Sequence, residues 1–261
     1  MVMRCRASLD GHELDAIDEN IYILDISENP AYSTSSVARP GLYGSHFTTQ
    51  KRTGMEIKIS FQVREYDVAK RQYIADRIFE WCGGKVLKTS TRPGKQINVV
   101  CTGFPNITSA LKWTDTLSVS LTAYECPYWS DEYETEITEQ NKRNFSKSLF
   151  IPGNTYTEMN AALKNVSSSS TIYNMQFEVG DSKFVFEHLG LAKGETFHIS
   201  HKDGYIEMYI TSADGAEKRS VYDKRTVDST DELILRPGEN AITASAQWNC
   251  DWRISARGKW S

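Results

Sequence analysis

Five histidines, five cysteines and a run of carboxylates beside an aromatic cluster are the residues from which this 261-residue chain could build a reactive site. A metal site needs histidines, thiols or carboxylates converging at ligand spacing. His198 and His201 stand three apart in a segment that reads as a strand, so their rings go to opposite faces. Each of the five, His12, His46, His188, His198 and His201, reads as a surface or loop residue. Cys5, Cys82, Cys101, Cys126 and Cys250 are odd in number, widely spaced and without a Cys-x-x-Cys pair. Scattered, mostly buried, reduced thiols are therefore expected, not a zinc site or a disulfide framework. Cys82 follows Trp81 at the end of a predicted helix, where the dipole disfavours a thiolate, so it reads as a core thiol and not a nucleophile. The motifs of serine hydrolases, zinc proteases, P-loops and dinucleotide folds are absent. A glycosidase pair is not visible in a sequence, and its candidates, Asp131 and Glu132, lie in what reads as a solvated joint. Tyr128 and Trp129, or Trp248, Trp252 and Trp260, offer rings for sugar stacking; the same rings also suit cores and interfaces. No catalytic, cofactor-binding or metal-binding residue is assigned, no cofactor is expected, and the chain reads as a structural protein and not an enzyme.

Charge and hydropathy exclude further classes. Lys plus Arg number 30 against 34 for Asp plus Glu, a net charge of −4, unlike the strongly basic domain of a nucleic-acid binder. The start, Met1 to Arg6, runs straight into polar sequence, so no signal peptide is expected. No stretch approaches the ~18 apolar residues of a membrane span. The chain reads as soluble and made in the cytosol, without a membrane partner.

The elements that must position these residues are mainly strands. The length favours two domains at ~100–200 residues each, and 13 Tyr, 10 Phe and 6 Trp favour sheet. Ile21–Ile26 is strand-like, and residues 27–46, rich in Ser, Thr, Pro and Gly, read as a long loop. Met55, Ile57, Ile59, Phe61 and Val63 alternate with polar residues, which predicts a strand with one buried face. Asp67 is a fitting N-cap for a helix whose buried face is Ile74, Ile78, Trp81 and Cys82, with Gly83-Gly84 as a left-handed stop. Residues 85–101 read as a hairpin around Arg92-Pro93-Gly94-Lys95, and Leu117–Ala123 alternates as a further strand. The acidic segment 131–139 reads as the joint, which divides the chain into 1–135, an α+β domain, and 136–261. In the second half, turn signals at Gly180-Asp181, Lys193-Gly194, Asp203-Gly204 and Asp214-Gly215 punctuate short strands, a β-sandwich pattern. Residues 155–170 are polar, with a helix suggested at Tyr156–Leu163.

The order of these pieces resembles the distal tail proteins of siphoviruses and prophages. The resemblance rests on the strand Met55–Val63, the helix Asp67–Cys82, and the run from Leu117 to Cys126-Pro127-Tyr128-Trp129. In the second half it rests on Ile151-Pro152-Gly153-Asn154, the Gly204 hairpin and Leu235-Arg236-Pro237-Gly238-Glu239-Asn240. It implies a mainly β fold with one clear helix and a C-terminal galectin-like antiparallel sandwich. It implies a homo-hexameric ring, a hub in the virion tail that is assembled in the bacterial host cytoplasm. The implied partners are other copies of the chain, the tail tube protein, the tail-tip or baseplate hub protein and a receptor-binding protein, with DNA passing through the lumen without specific binding. The alternative is a carbohydrate-binding module of an adsorption apparatus.

Charge suggests how such a ring closes. Residues 7–38 hold seven acids, among them Asp15, Asp18 and Glu19, and no Lys or Arg. Residues 81–114 hold five bases, among them Lys88, Arg92 and Lys95, and no Asp or Glu. A cyclic ring joins two different patches of each subunit, and opposite charge sets their register. Asp15, Asp18, Glu19, Lys88, Arg92 and Lys95 are therefore the candidate subunit interface. The same residues could instead pair within one subunit, stay solvated, or line the lumen.

Overall fold

The computed structural model describes residues 5–38, 45–105, 115–124, 126–168, 170–202 and 205–261, with the backbone alone at 36–38, 45–49 and 202. It is mainly β, with antiparallel sheets and, among the described residues, one α-helix, the class expected from the patterning. The chain divides into two compact units, Met1–Ser130 and Asp131–Ser261.

The first unit contains β1 (Ala7–Leu9), β2 (His12–Glu13), β3 (Ile21–Ala38), β4 (Ser45–Val63), α1 (Val68–Trp81), β5 (Val86–Thr89), β6 (Lys95–Asn98), β7 (Val100–Gly103), β8 (Leu117–Ala123) and β9 (Trp129–Asp131). One sheet has the order β3-β4-β8-β7. Met55, Ile57, Ile59, Phe61 and Val63 of β4 and Leu117, Val119, Leu121 and Ala123 of β8 are all buried, so the period-2 reading holds along both strands. Each of these side chains larger than alanine, taken fully from water, contributes ~1.5–3 kcal/mol. In a second sheet β2, β1, β5, β6 and β9 follow one another. Val86 opposes Asn98 and Leu87 opposes Ile97, which makes β5 and β6 the expected hairpin.

Helix α1 starts where its cap predicts. Asp67 Oδ1 accepts hydrogen bonds from the backbone N–H of Ala69 at 2.8 Å and Lys70 at 3.4 Å. Arg71, Ile74, Ala75, Ile78 and Trp81 form its buried face, and the Trp81 indole N–H reaches the His12 carbonyl at 2.6 Å. The expected left-handed stop is not used. Cys82 caps the helix in right-handed geometry, and neither Gly83 nor Gly84 has positive φ. Glycine at 84 serves close approach instead, because a Cβ there would lie 2.7 Å from Leu9 Cβ.

The loop expected at 27–46 is largely strand. β3 and β4 pair from Ile21↔Val63 to Ala38↔Ser45, with irregularities after Ile23, Ala31 and Ser35. Among the described residues, only the Met55–Phe61 part of β4 finds a third strand, β8. Residues 31–38 and 45–54 therefore form a two-stranded ribbon, and side chains 31–35 are all exposed. Pro30 fits because β3 is an edge, where no N–H need be donated to a further strand. Residues 39–44 lie outside the described residues.

The second unit contains β10 (Thr135–Ile151), β11 (Thr157–Glu158), β12 (Asn160–Asn165), β13 (Met175–Val179), β14 (Ser182–Phe186), β15 (Thr196–Lys202), β16 (Tyr205–Thr211), β17 (Lys218–Ser220), β18 (Ile234–Leu235), β19 (Gly238–Ala256) and β20 (Lys259–Trp260). Its main sheet has the order β14-β13-β19-β12-β15-β16-β17, with β10 on β19 as well. β19 is the organising strand. On one side it pairs with β10 along nearly its whole length; on the other its Ile242–Ala246 part pairs with β13 and its Cys250–Ser255 part with β12. The core includes Phe177, Phe184, Phe186, Phe197 and Trp252, all at most 2 % exposed.

Two expectations fail here. The acidic joint at 131–139 is mostly β10, an edge strand whose polar residues face solvent. The helix suggested at Tyr156–Leu163 is instead β11 and β12, where Ala161, Leu163 and Asn165 are buried in alternation. The turn signals hold at Gly180-Asp181, where Val179 opposes Ser182 and Gly180 has φ 56°. They hold also at Gly215, φ 76°, between β16 and β17. Asp203-Gly204 lies outside the described residues, although Lys202 and Tyr205 on either side are paired.

Both Pro-Gly motifs have local reasons. Asn154 N–H donates to the Lys259 carbonyl at 3.0 Å, and a Cβ on Gly153 would lie 2.3 Å from that oxygen. At the other motif the buried Asn240 amide closes the turn. Its Oδ1 accepts from Arg236 N–H at 2.8 Å, and its Nδ2 donates to the Arg236 and Gly238 carbonyls at 2.7 and 3.0 Å.

Candidate assembly site

The six charged residues proposed for an interface separate into two groups. Asp15 lies in a 3-10 turn, Leu14–Ala16, with its Oδ1 buried and without a hydrogen-bond partner among the described residues. Asp18 is used within the chain. Its Oδ1 accepts from the backbone and side-chain nitrogens of Asn20, both at 2.9 Å, and its Oδ2 is 3.6 Å from Lys70 Nζ. Lys70 also pairs with Glu65 at 2.9 Å; this bond raises the Lys70 pKa above its ordinary value and lowers that of Glu65. Glu19 is exposed.

On the basic side, Lys88 lies on β5 opposite Ser8, and Lys95 opens β6. Arg92 is committed elsewhere. Its Nε and Nη2 donate to the two oxygens of Glu28 at 3.1 and 2.9 Å, and the Glu28 carboxylate also accepts from the indole N–H of fully buried Trp129 at 3.2 Å. This bidentate pair ties the 90–94 turn to β3 and β9, and holds the Arg92 pKa above its ordinary value. Of the six, Arg92 and Asp18 have the intrachain partners just named, Lys88 and Lys95 also interact within the chain, and Glu19 is exposed.

The patterning missed three surface features. The β3-β4-β8-β7 sheet has two open edges among the described residues, one along β3 and the other along β7. Beside β7, Phe79 of α1 and Phe104 touch at a centroid distance of 5.5 Å while 42 % and 57 % exposed. The third feature is the β3–β4 ribbon itself. The exposed aromatics were visible as residues, but only the register shows that they border an open edge.

The residues weighed for chemistry go to other duties. Trp129 and Trp252 are core, Tyr128 is covered by the Arg52 guanidinium at 4.9 Å, and the Trp260 indole donates to Asp131 Oδ1 at 2.9 Å. Trp248 is 43 % exposed. Trp129 and Trp252 thereby leave the sugar-stacking set, while Trp248 keeps an exposed ring. All five cysteines are free; Cys82 and Cys250 are buried and the other three half-buried, so fewer are deeply buried than expected. Among the described residues no His, Cys, Asp and Glu cluster could hold a metal, and no helix is long and apolar enough to cross a membrane.

His198 and His201 are brought to different surroundings, as their spacing predicts, but both are partly buried on β15 and not the surface or loop residues expected. The His198 ring stacks on Tyr209 at 4.8 Å. His201 is largely buried, and burial pushes its pKa down; Glu158 and Glu232 oppose this, while Lys259 adds to it. The His198 pKa is lowered too, by burial and then by Lys218. A lowered imidazole pKa means that the unfolded chain binds more protons than the folded one below about pH 6.5. Stability of the second unit is therefore expected to fall as pH drops from 7.5 to 5.5. Urea unfolding should show a lower midpoint at pH 5.5, and His201→Gln should flatten the fall. An equal pH slope in variant and parent would refute the assignment. Glu158 acts in a lower window: burial raises its pKa, but Lys259 outweighs this and holds it below the usual value, so its contribution is lost only in more acid solution.

No family model matches the sequence, and no curated protein does. Solved structures do match. The crystal structure of SPP1 Dit (gp 19.1), described as a paradigm of hub adsorption apparatus in phages infecting Gram-positive bacteria, aligns with TM-score 0.71 at 14 % identity over 99 % of this chain and 100 % of that one. The phage P2 baseplate in its activated conformation with Ca gives TM-score 0.54 at 10 % identity over 99 % of both chains. The same baseplate with Sr gives 0.52 at 11 % over 98 % of both. Across its length, the chain has the fold of a siphophage distal tail hub protein, which upholds at the level of fold the resemblance read from its sequence.

Proposed function

We propose that this chain is the distal tail protein of a long-tailed phage or prophage, a structural hub with no catalytic task. The observation that supports this most is the likeness to SPP1 Dit, which covers 99 % of this chain and 100 % of that one and so includes both units. Subunits close a hexameric ring head to tail, between the tail tube protein and the tail-tip or baseplate hub. The second unit faces outward and holds a receptor-binding protein, and DNA passes through the lumen without specific contacts. The finished hub resides in the virion tail after assembly in the host cytoplasm.

Physical arguments favour self-assembly. A two-stranded ribbon alone is marginal in water, yet residues 31–38 and 45–54 form one. The open edges along β3 and β7 can accept strands from two different neighbours, as a heterologous ring contact requires. Charge between the Lys88–Lys95 hairpin and the Glu19 segment gives that contact its register. Size-exclusion chromatography with light scattering, followed by negative-stain imaging, tests the reading. A closed ring of about six copies is expected at sub-physiological salt. A monomer at every salt and protein concentration would overturn it.

A further inference from the structure

A cleft of about 320 Å³ opens on the main sheet of the second unit. Ser245 of β19, Gln176 of β13 and Val185 of β14 stand opposite one another on three adjacent strands and line it, all half-buried. Arg143, Glu187 and Gln247 border them. Hydrogen bonds within the unit fix the two glutamine amides. Gln247 Oε1 accepts from the Tyr173 N–H at 3.1 Å, which leaves its Nε2 as a donor. Gln176 Nε2 donates to Glu178, which leaves its Oε1 as an acceptor. Arg143 Nε donates to the Ala246 carbonyl at 3.4 Å; among the described residues its terminal nitrogens and the Glu187 carboxylate have no partner. Two exposed rings adjoin these residues in the chain and in the sheet: Trp248, directly after Gln247, and Tyr173, whose N–H Gln247 holds.

We propose that this cleft binds the end of a neutral glycan. A sugar hydroxyl both donates and accepts, so neighbouring hydroxyls are met by donors and acceptors fixed side by side. Here Gln247 Nε2 and the Arg143 guanidinium donate, while Gln176 Oε1 and the Glu187 carboxylate accept. Held amides lose little freedom when a ligand arrives. The two charged residues of the lining, Arg143 and Glu187, offset each other, so the cleft lacks the cluster of cations that a phosphate or sulfate group would need. An exposed Trp or Tyr ring has an apolar face, which can cover the C–H face of a sugar ring, and a polar tip that stays wet. The volume stands at the small end of the ~300–1,000 Å³ of ligand sites, which suits a terminal sugar and not a folded peptide. The proposal rests on this cleft alone and goes beyond the hub reading.

The full chain should be applied to an array of oligomers of glucose, galactose, mannose and N-acetylglucosamine, with sulfated oligomers as charged controls. Binding of at least one neutral oligomer is expected, and calorimetric titration of that oligomer then gives the affinity. Glu187→Ala and Gln247→Ala should each weaken it by about tenfold, the loss of one hydrogen bond to a charged or fixed partner. Trp248→Ala should weaken it as well, and Trp248→Phe should restore most of the loss. If Gln247→Ala changes the circular dichroism spectrum, the exposed Glu187 and Trp248 variants decide the outcome. No binding of any neutral oligomer up to about 10 mM, binding of the sulfated oligomers alone, or a neutral oligomer bound equally by parent and all variants would each overturn the proposal. A chain that binds sugar but stays monomeric upholds the cleft while the hub reading falls; a ring that binds no sugar does the reverse.

Discussion

Trp252→Ala is expected to lower the stability of the second unit by about 3–5 kcal/mol, enough to unfold a marginal domain near body temperature. The ring is 2 % exposed and is packed edge-on to both Phe145 and Phe177, at centroid distances of 5.5 and 5.6 Å. Its indole N–H donates to the Lys142 carbonyl at 2.8 Å, so truncation also leaves a carbonyl of β10 without this donor. The residue sits on β19, opposite Leu163 of β12 and Glu139 of β10, and the cavity would open between three strands at once. Trp248, four positions earlier and 43 % exposed, is the internal control. Trp248→Ala should change stability by no more than about 0.5 kcal/mol. Urea unfolding followed by circular dichroism separates the two, and equal effects would contradict the packing described.

If the proposed ring contact uses Lys88 and Lys95, their reversal to Glu is expected to leave single subunits at low salt. Like charges would then face each other across the proposed contact, where opposite charges would otherwise set the register. Glu19→Lys in the same chain should restore assembly in part, because it is the one exposed residue among Asp15, Asp18 and Glu19. Arg92→Glu should behave differently. It breaks the bidentate pair with Glu28 and places a second carboxylate beside the one that already receives the Trp129 indole. That variant should lose thermal stability as a monomer, because the pair it breaks lies within one subunit. Light scattering across a salt series measures the outcome. A ring with unchanged size and salt dependence after reversal of Lys88 and Lys95 would exclude these residues from the contact.

What could be read from the sequence follows the physics of burial. β8 matches its alternating pattern because one face is covered and the other wet, and α1 begins at Asp67 because a carboxylate there satisfies two backbone donors. The ribbon at 31–38 was unreadable for the converse reason. With side chains 31–35 exposed, no alternation marks it, and its Ser and Thr residues mimic loop composition. β10 was hidden likewise, since Glu136, Glu139, Lys142 and Lys147 on an edge strand look like a linker. β12 misled through Ala161 and Ala162, small residues that suit a helix as well as a strand. At the candidate site, charge blocks showed where acids and bases concentrate. They could not show that Arg92 already has Glu28, a partner 64 positions away that only the packed fold brings near.

The placement of β19 has a consequence for how the protein is made. β10, β12 and β13 are all complete by Val179, yet each needs the Gly238–Ala256 segment as its neighbour. At ~5–20 residues per second, a ribosome that has finished β10 needs on the order of 10 s more to deliver that segment. For that interval the nascent chain exposes unpaired strands, the species most prone to stick to its own kind. Lys142, Arg143 and Lys147 in the middle of β10 act then as gatekeepers, repelling other nascent chains before the native partner arrives.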